Sequence, residues 1–223
     1  MRLGCLPALI AFGLMLVLPW IFADVLSTAL LKLHLSSNTA EWVVIGIFAG
    51  SLVNIPVKRV ERAELVPTDP LALVGLHGLW PAVRRAQAET VVAVNVGGCV
   101  IPATLAVYEV LNVIHQGGAL TVLAVAVGVN IFACYRLARP VAGVGIMMPA
   151  VVPAMLAAGI ALMAAPSLVT PIAFVAGVLG PLIGADLLHL RDVARIESGI
   201  VSIGGAGTFD GILLSGIVAL YLS

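Results

Sequence analysis

Charged residues are scarce in this sequence. Only 10% of its 223 residues are Asp, Glu, Lys or Arg, and only 5% are aromatic. An ordinary soluble domain carries about 25% charged residues. The 11 cations are balanced by 11 acids, so the formal net charge is zero. A nucleic-acid-binding domain needs an excess of positive charge, and this balance argues against that class.

Apolar residues are correspondingly abundant, at 61% of the chain with a mean hydropathy of +1.17. A soluble globule of this size could not bury so much apolar surface, and a disordered chain needs low hydrophobicity. We therefore predict an integral membrane protein that crosses the lipid bilayer several times. The expected location is a prokaryotic inner (plasma) membrane.

Signals for metals and cofactors are missing. The three cysteines, Cys5, Cys99 and Cys134, are odd in number, far apart and set in apolar runs. The sequence has no CxxC pair, no HExxH motif, no phosphate-binding P-loop and no dinucleotide fingerprint. We expect neither a metal nor a cofactor, and we interpret the cysteines as apolar packing residues.

Seven apolar segments are candidates for membrane-spanning helices, each of which needs about 20 mainly apolar residues. They cover about residues 3–23, 41–56, 90–112, 118–135, 148–165, 168–188 and 201–222. The first also resembles a signal peptide with cleavage near Ala23, but its apolar run exceeds the usual core of about 7–15 residues. The sequence therefore predicts an all-α fold of about seven spans, forming a single transmembrane domain over 1–223.

The positions of the cations predict the orientation of the chain. If seven spans alternate, ten of the eleven cations fall on one side of the membrane and only Lys32 falls on the other. Cytoplasmic loops are enriched in Lys and Arg. The N-terminus is therefore expected in the cytoplasm and the C-terminus outside. The ten cations on the cytoplasmic side are Arg2, Lys58, Arg59, Arg62, Arg84, Arg85, Arg136, Arg139, Arg191 and Arg195.

The largest loop, residues 57–89, is expected in the cytoplasm or at the membrane interface. It begins KRVERAELVP and ends RRAQAETVV, and both stretches alternate charged with apolar or β-branched residues. That alternation is typical of β-strands, so the two stretches are expected to pair as a short hairpin.

Two acids lie in apolar spans without an obvious partner, although a charged group in the membrane costs about 2.5–3.5 kcal/mol. Asp186 stands in GPLIGADLLHL and Asp210 in GGAGTFDGILL, on consecutive antiparallel spans. They reach a similar depth only if the glycine-rich run 204–207 is non-helical and the last helix begins near Thr208. Thr208 is then the expected N-cap.

Two neighbouring carboxylates in a low dielectric share one proton. One can then act as a base on water while the other protonates a carbonyl oxygen, which is aspartic-peptidase chemistry. Asp186 and Asp210 are therefore the candidate catalytic residues. The candidate substrate-binding residues are Gly204, Gly205, Gly207, Thr208 and Asn95. An irregular glycine-rich segment can leave backbone groups available to an extended transmembrane peptide.

The last two spans partly resemble the core of the presenilin and signal-peptide-peptidase-like diaspartyl intramembrane proteases. In that family one aspartate lies near the cytoplasmic end of a helix, and the other ends a Gly-x-Gly-Asp motif at the start of the next helix. The counterparts are Asp186 in Ala185-Asp186-Leu187, and Asp210 after Gly205-Ala206-Gly207. The resemblance implies a membrane protease that cuts transmembrane peptides.

A second resemblance covers most of the chain. The phrases NVGGCVIP and GGAGTFDGI are similar to an uncharacterised prokaryotic family of membrane proteins, known as a domain of unknown function. This resemblance implies no activity.

Two other functions stay open. The same acids are typical of a small cation- or proton-coupled transporter or channel, whose path Glu109 and Asn95 would line. In a non-catalytic membrane scaffold, the acids would instead pair with Asn, Thr or backbone groups. The sequence names no oligomeric state.

Overall fold

The computed structural model describes residues 5–67, 83–141, 145–192, 200–205 and 210–223. These residues form seven α-helices: α1 (Cys5–Leu31), α2 (Ser37–Gly50), α3 (Ile101–His115), α4 (Leu120–Leu137), α5 (Val151–Ala164), α6 (Val169–Leu179) and α7 (Gly211–Leu222). Two wider, π-helical segments adjoin them. Val96–Val100 leads into α3, and Gly180–Leu187 continues α6.

Three helical runs in the described residues are long and apolar enough to cross a membrane. They are Val96–His115, Leu120–Leu137 and Val169–Leu187. Three shorter apolar helical stretches accompany them, namely Leu16–Leu31, Val151–Ala164 and Gly211–Leu222. The molecule is thus mostly helical and suited to a bilayer, and its helix number fits the seven apolar segments of the sequence.

Helix α6 lies at the centre of the bundle, where it packs against α3, α4, α5 and α7. All its residues from Pro171 to Val178 are buried. Small residues allow this close packing, since lipid-embedded helices associate through backbone proximity. A Cβ atom added to Gly177 would lie 3.0 Å from the Ser215 carbonyl oxygen of α7. Glycine at this position therefore brings α6 and α7 together.

Lys32, at the end of α1, contacts the end of α7. Its Nζ donates hydrogen bonds to the carbonyl oxygen of Leu220 at 2.7 Å and to that of Ser223 at 3.3 Å. The Tyr221 hydroxyl donates in turn to the Val25 carbonyl oxygen at 2.8 Å. The C-terminal ends of α1 and α7 therefore lie at the same end of the bundle, as the alternation of spans requires.

A three-stranded sheet has the order β1-β2-β5, formed by β1 (Asn54–Pro67), β2 (Val83–Asn95) and β5 (Ile200–Ile203). Strands β1 and β2 are antiparallel from Asn54 opposite Asn95 to Pro67 opposite Val83. β5 joins β2 in parallel, with Val91 opposite Ile200. A second, two-stranded sheet pairs β3 (Arg139–Val141) with β4 (Gly145–Met147).

The expected hairpin in the loop 57–89 is confirmed, and it is longer than the sequence indicated. Its strands begin at Asn54 and end at Asn95, so they reach into two segments that were expected to be helical. Pro56 lies on β1 at an edge of the sheet, next to a shift in register before Lys58. Edge strands and bulges are where proline is tolerated in a sheet. The middle of the loop, residues 68–82, lies outside the described residues.

The prediction of an all-α fold is wrong at three places. The second expected span ends in β1, the third begins in β2, and the seventh begins in β5 rather than in a helix. These stretches are short and rich in apolar and β-branched residues. A short apolar run has no periodicity that separates a buried strand from a buried helix, so the pairing of distant segments decides.

Candidate functional site

Asp186 lies near the end of the π-helical segment Gly180–Leu187, where its side chain is partly buried. Pro181 stands at the start of this segment and has no backbone N–H to donate. The α-helical bonding pattern of α6 gives way here to wider turns, which are frequent at functional sites. The change in helix type thus begins at Gly180, six residues before the acid.

Asn130 of α4 stabilises the helix just before this change. Its Nδ2 donates to the carbonyl oxygens of Ala176 at 2.7 Å and of Pro153 at 3.1 Å, and the side chain is fully buried. It therefore joins α4, α5 and α6 through polar bonds inside an apolar bundle. Unpaired backbone groups are costly in such surroundings, so these bonds stabilise the helix end that carries Asp186.

The backbone N–H of Gly204, just after β5, donates a hydrogen bond to the Asp186 carboxylate. Gly204 has a φ of +70°, a conformation that residues with side chains rarely adopt. A Cβ atom at this position would also lie 2.7 Å from Cβ of Cys99. Both the backbone conformation and the space therefore require glycine where the chain meets Asp186.

Asp210 is the N-cap of α7. Its backbone is extended, with φ −70° and ψ 148°, and its Oδ1 accepts from the Ile212 backbone N–H at 2.9 Å. Aspartate is among the best N-cap residues. The prediction that the helix begins near Thr208, with Thr208 as its cap, is therefore wrong. The helix begins at Gly211, because the Asp210 side chain satisfies one of the free N–H groups of the first turn, that of Ile212.

Asp186 and Asp210 line one cavity of about 470 Å³. They are near enough for the charge of Asp210 to act on Asp186. Strand β5 forms one part of the wall, and strand β4 with the adjoining Met148 forms another. The fold thus brings together two acids that are separated in sequence by β5 and by residues outside the described part of the chain.

The other predicted site residues are distributed differently. Gly205 lines the cavity, and Gly204 contacts it through its bond to Asp186. The expected non-helical conformation is confirmed for these two glycines, which form a turn after β5. Gly207 and Thr208 lie outside the described residues.

Asn95 is fully buried and does not belong to the cavity lining. Its Nδ2 donates to the Ser51 carbonyl oxygen at 2.8 Å and to Asn54 Oδ1 at 3.2 Å. Its Oδ1 accepts from the Gly98 N–H at 2.8 Å and so caps the π-helical segment before α3. Asn54 Oδ1 also accepts from the Ser202 hydroxyl. Asn95 therefore connects the sheet to the segment that leads into α3.

Strand β5 and the apolar part of the cavity wall formed by β4 and Met148 were not predicted from the sequence. Val201 and Ile203 fall in the predicted seventh span and Ile200 in the loop before it, while Met147 falls in a predicted loop and Met148 at the start of the predicted fifth span. The β-branched run IVSI followed by Gly-Gly is a strand-and-turn signal that could have indicated β5. No comparable signal marks the two methionines.

The described residues contain no group of three His, Cys, Asp or Glu side chains that could hold a metal ion. Glu109 of α3 is buried outside the cavity lining, with only 3% of its surface exposed. Its Oε2 accepts from Asn112 Nδ2 at 3.3 Å, whereas its Oε1 has no hydrogen-bond partner within the described part of the chain.

Comparison with known proteins gives a family but no activity. No curated protein and no solved structure matches this chain. The family described as "Protein of unknown function (DUF1614)" matches residues 48–222, which include the sheet, α3 to α7 and both acids of the cavity. The sequence resemblance to an uncharacterised family is thereby confirmed, and this chain belongs to the DUF1614 family.

Proposed function

We propose that this membrane protein is an aspartyl protease that cleaves peptides within or at the edge of the bilayer. Asp186 and Asp210 are its two catalytic carboxyl groups. The observation that carries the proposal is that both acids line the same cavity, although they come from different helices.

The chemistry needs one carboxylate to take a proton from water and one carboxyl to donate a proton to the peptide carbonyl oxygen. Neighbouring acids in a low dielectric supply both forms, because they hold one proton between them. The water oxygen then bonds to the carbonyl carbon. Collapse of the resulting tetrahedral intermediate breaks the C–N bond, and the nitrogen leaves with a proton. This sequence of steps consumes one water per bond and needs no cofactor.

The wall of the cavity suits an extended peptide. Among the described residues, strand β5 is an edge of its sheet, and it lines the cavity from Ile200 to Ile203. Edge strands can bind an extended chain through main-chain hydrogen bonds. Ile146, Met147 and Met148 offer apolar contacts on another side of the cavity. An apolar transmembrane peptide that unwinds locally is therefore the substrate class that we propose.

We infer that the cavity lies near the cytoplasmic side of a prokaryotic inner membrane. Arg139 and Arg191 lie in the segments that hold its walls, next to β4 and Leu190. Lys58 and Arg59 lie on β1, in the same sheet as β5. Positive residues collect on the cytoplasmic side of membrane proteins. This arrangement supports a cytoplasmic N-terminus and an external C-terminus.

The test uses the full chain in liposomes with a fluorogenic peptide of about 20 apolar residues. We expect cleavage by the wild type and loss of at least about 100-fold in rate for Asp186→Asn and for Asp210→Asn, since each removes a group that transfers a proton. Glu109→Gln is the matched control, because Glu109 is a buried acid outside the cavity. Cleavage that persists in both aspartate variants would exclude the proposal.

A cation- or proton-coupled transporter is the second candidate, and Glu109 favours it. A buried carboxyl with one oxygen unpartnered in the described residues is a typical feature of intramembrane ion or proton paths. If the protein is a transporter, the wild type carries proton or sodium flux into liposomes, and Glu109→Gln lowers that flux. If it is only a protease, the wild type carries no such flux.

A further inference from the structure

A histidine beside the cavity has no part in the chemistry described so far. His189 is buried two residues beyond the π-helical segment that carries Asp186. Its ring packs on the ring of Tyr135 from α4, with centroids 4.8 Å apart and a tilt of 31°. It does not line the cavity.

The Nδ1 atom of His189 lies 2.9 Å from the carbonyl oxygen of Ala185 and 3.2 Å from that of Gly184. Both oxygens can only accept hydrogen bonds, so Nδ1 must carry a proton and donate. The tautomer with a bare Nδ1 would direct its lone pair at two oxygens.

These two carbonyl groups lie in the last turn of the helical segment, where the regular backbone hydrogen bonds of the helix end. In an α-helix, the N–H of Leu188 would bond to Gly184 four residues earlier. Here it bonds to the Ile183 carbonyl oxygen at 3.0 Å, five residues earlier. The last carbonyls of a helix need other donors, and a histidine side chain is one that can reach them.

The bond to Ala185 acts on the peptide unit that leads directly into Asp186. A peptide unit is planar, so fixing the Ala185 carbonyl oxygen also fixes the orientation of the Asp186 N–H and Cα. The Gly204 N–H donates to the carboxylate of the same residue. Backbone and side chain of Asp186 are thus held by two separate donors.

We propose that His189 is a positioning residue, which holds the turn of Asp186 in the orientation needed for proton transfer to or from the substrate. This role rests on the proposed proteolytic function. It differs from a purely structural role, because the orientation of Asp186 depends on the hydrogen bond from His189 to Ala185. The packing of the His189 ring on Tyr135 does not set that orientation.

Two variants of His189 test its hydrogen bond to Ala185 and its ring packing on Tyr135 separately. His189→Asn keeps an N–H donor near the position of Nδ1 and loses the ring. His189→Phe keeps a ring against Tyr135 and loses the donor. We expect the Phe variant to lower kcat about tenfold with an unchanged KM, as the loss of one hydrogen bond at a reacting group would do. We expect the Asn variant to retain a kcat within about threefold of the wild type.

Modification by a hydrophobic carbodiimide, read by mass spectrometry, gives a measure that needs no cleavage. The ratio of modification at Asp186 to that at Asp210 should change in the Phe variant and stay at the wild-type value in the Asn variant. If the wild type cleaves no peptide, the proteolytic function fails while this ratio still tests the positioning of Asp186. A Phe variant that matches the wild type in this ratio overturns the positioning role, as does an Asn variant that changes the ratio as the Phe variant does.

Discussion

Asp210 has two tasks that a single side chain can perform together. Its Oδ1 accepts the Ile212 N–H and begins α7, while its carboxyl group also lines the cavity. Capping needs only a side-chain oxygen, whereas proton transfer needs an ionisable group. The two roles therefore respond differently to substitution.

We predict that Asp210→Asn leaves the free energy of unfolding in detergent nearly unchanged, because asparagine caps helices as well as aspartate does. Asp210→Ala should lower it by about 1 kcal/mol through loss of the cap. Both variants should lose peptide cleavage. Equal destabilisation by both substitutions, with cleavage intact, would instead indicate the non-catalytic scaffold.

The polar residues show which parts of the candidate site can be predicted from single residues of the sequence. Asp186 and Asp210 could be singled out because an acid in an apolar span is costly and needs a reason. Asn95 is also predicted to bind substrate, yet it bonds to Ser51, Asn54 and Gly98 and does not line the cavity. A sequence does not state which polar groups find partners, since those partners come from distant segments.

At the scale of elements, α7 is short for a membrane helix and is secured at both ends. Asp210 caps its start, and Lys32, directly after α1, donates to the carbonyl oxygens of Leu220 and Ser223 at its end. A cation at a helix C-terminus also interacts favourably with the helix dipole. The lone cation on its side of the predicted topology thus has a structural explanation.

We predict that Lys32→Met lowers the free energy of unfolding by about 1–2 kcal/mol, because the carbonyls at the end of α7 lose a charged donor. Thermal unfolding in detergent would measure this loss. Lys58→Met is the matched control, since Lys58 is exposed on β1. Equal stability of the Lys32 variant and the wild type would contradict this account of α7.

The strand β5 illustrates what element-level reasoning could not decide. Its residues are as apolar as those of a span, and the segment is only four residues long. It is a strand because β2 offers a partner edge, from Val91 opposite Ile200 to Val94 opposite Ile203. The hairpin of β1 and β2, by contrast, was predictable because its alternation extends over many residues.

At the scale of the whole molecule, the distribution of cations predicts which end of the bundle faces the cytoplasm. Lys58 and Arg59 lie on β1, in the sheet whose strand β2 leads into the N-terminal end of α3. Gln116 follows the C-terminal end of α3. Both Arg59 and Gln116 are exposed. They are therefore suitable labelling positions for determining the orientation of the chain in the membrane.

We predict that Arg59→Cys reacts with a membrane-impermeant maleimide only in inside-out vesicles, and Gln116→Cys only in right-side-out vesicles. The background would carry Cys5→Ala, Cys99→Ala and Cys134→Ala, which removes the native thiols. Labelling of both positions from the same side would refute the predicted topology.

The sequence by itself determined that this is a membrane protein, that a hairpin interrupts its helices, and that two acids need an explanation. These conclusions depend on composition, periodicity and the cost of charge in lipid, which are local properties. Only the tertiary structure decided that β5 pairs with β2, that Asp210 caps α7, and that Asp186 lies in the same cavity. The strand pairing and the shared cavity depend on contacts between segments far apart in the chain, which a local pattern does not encode. The cap is a local contact between Asp210 and Ile212, and its position follows from where α7 begins.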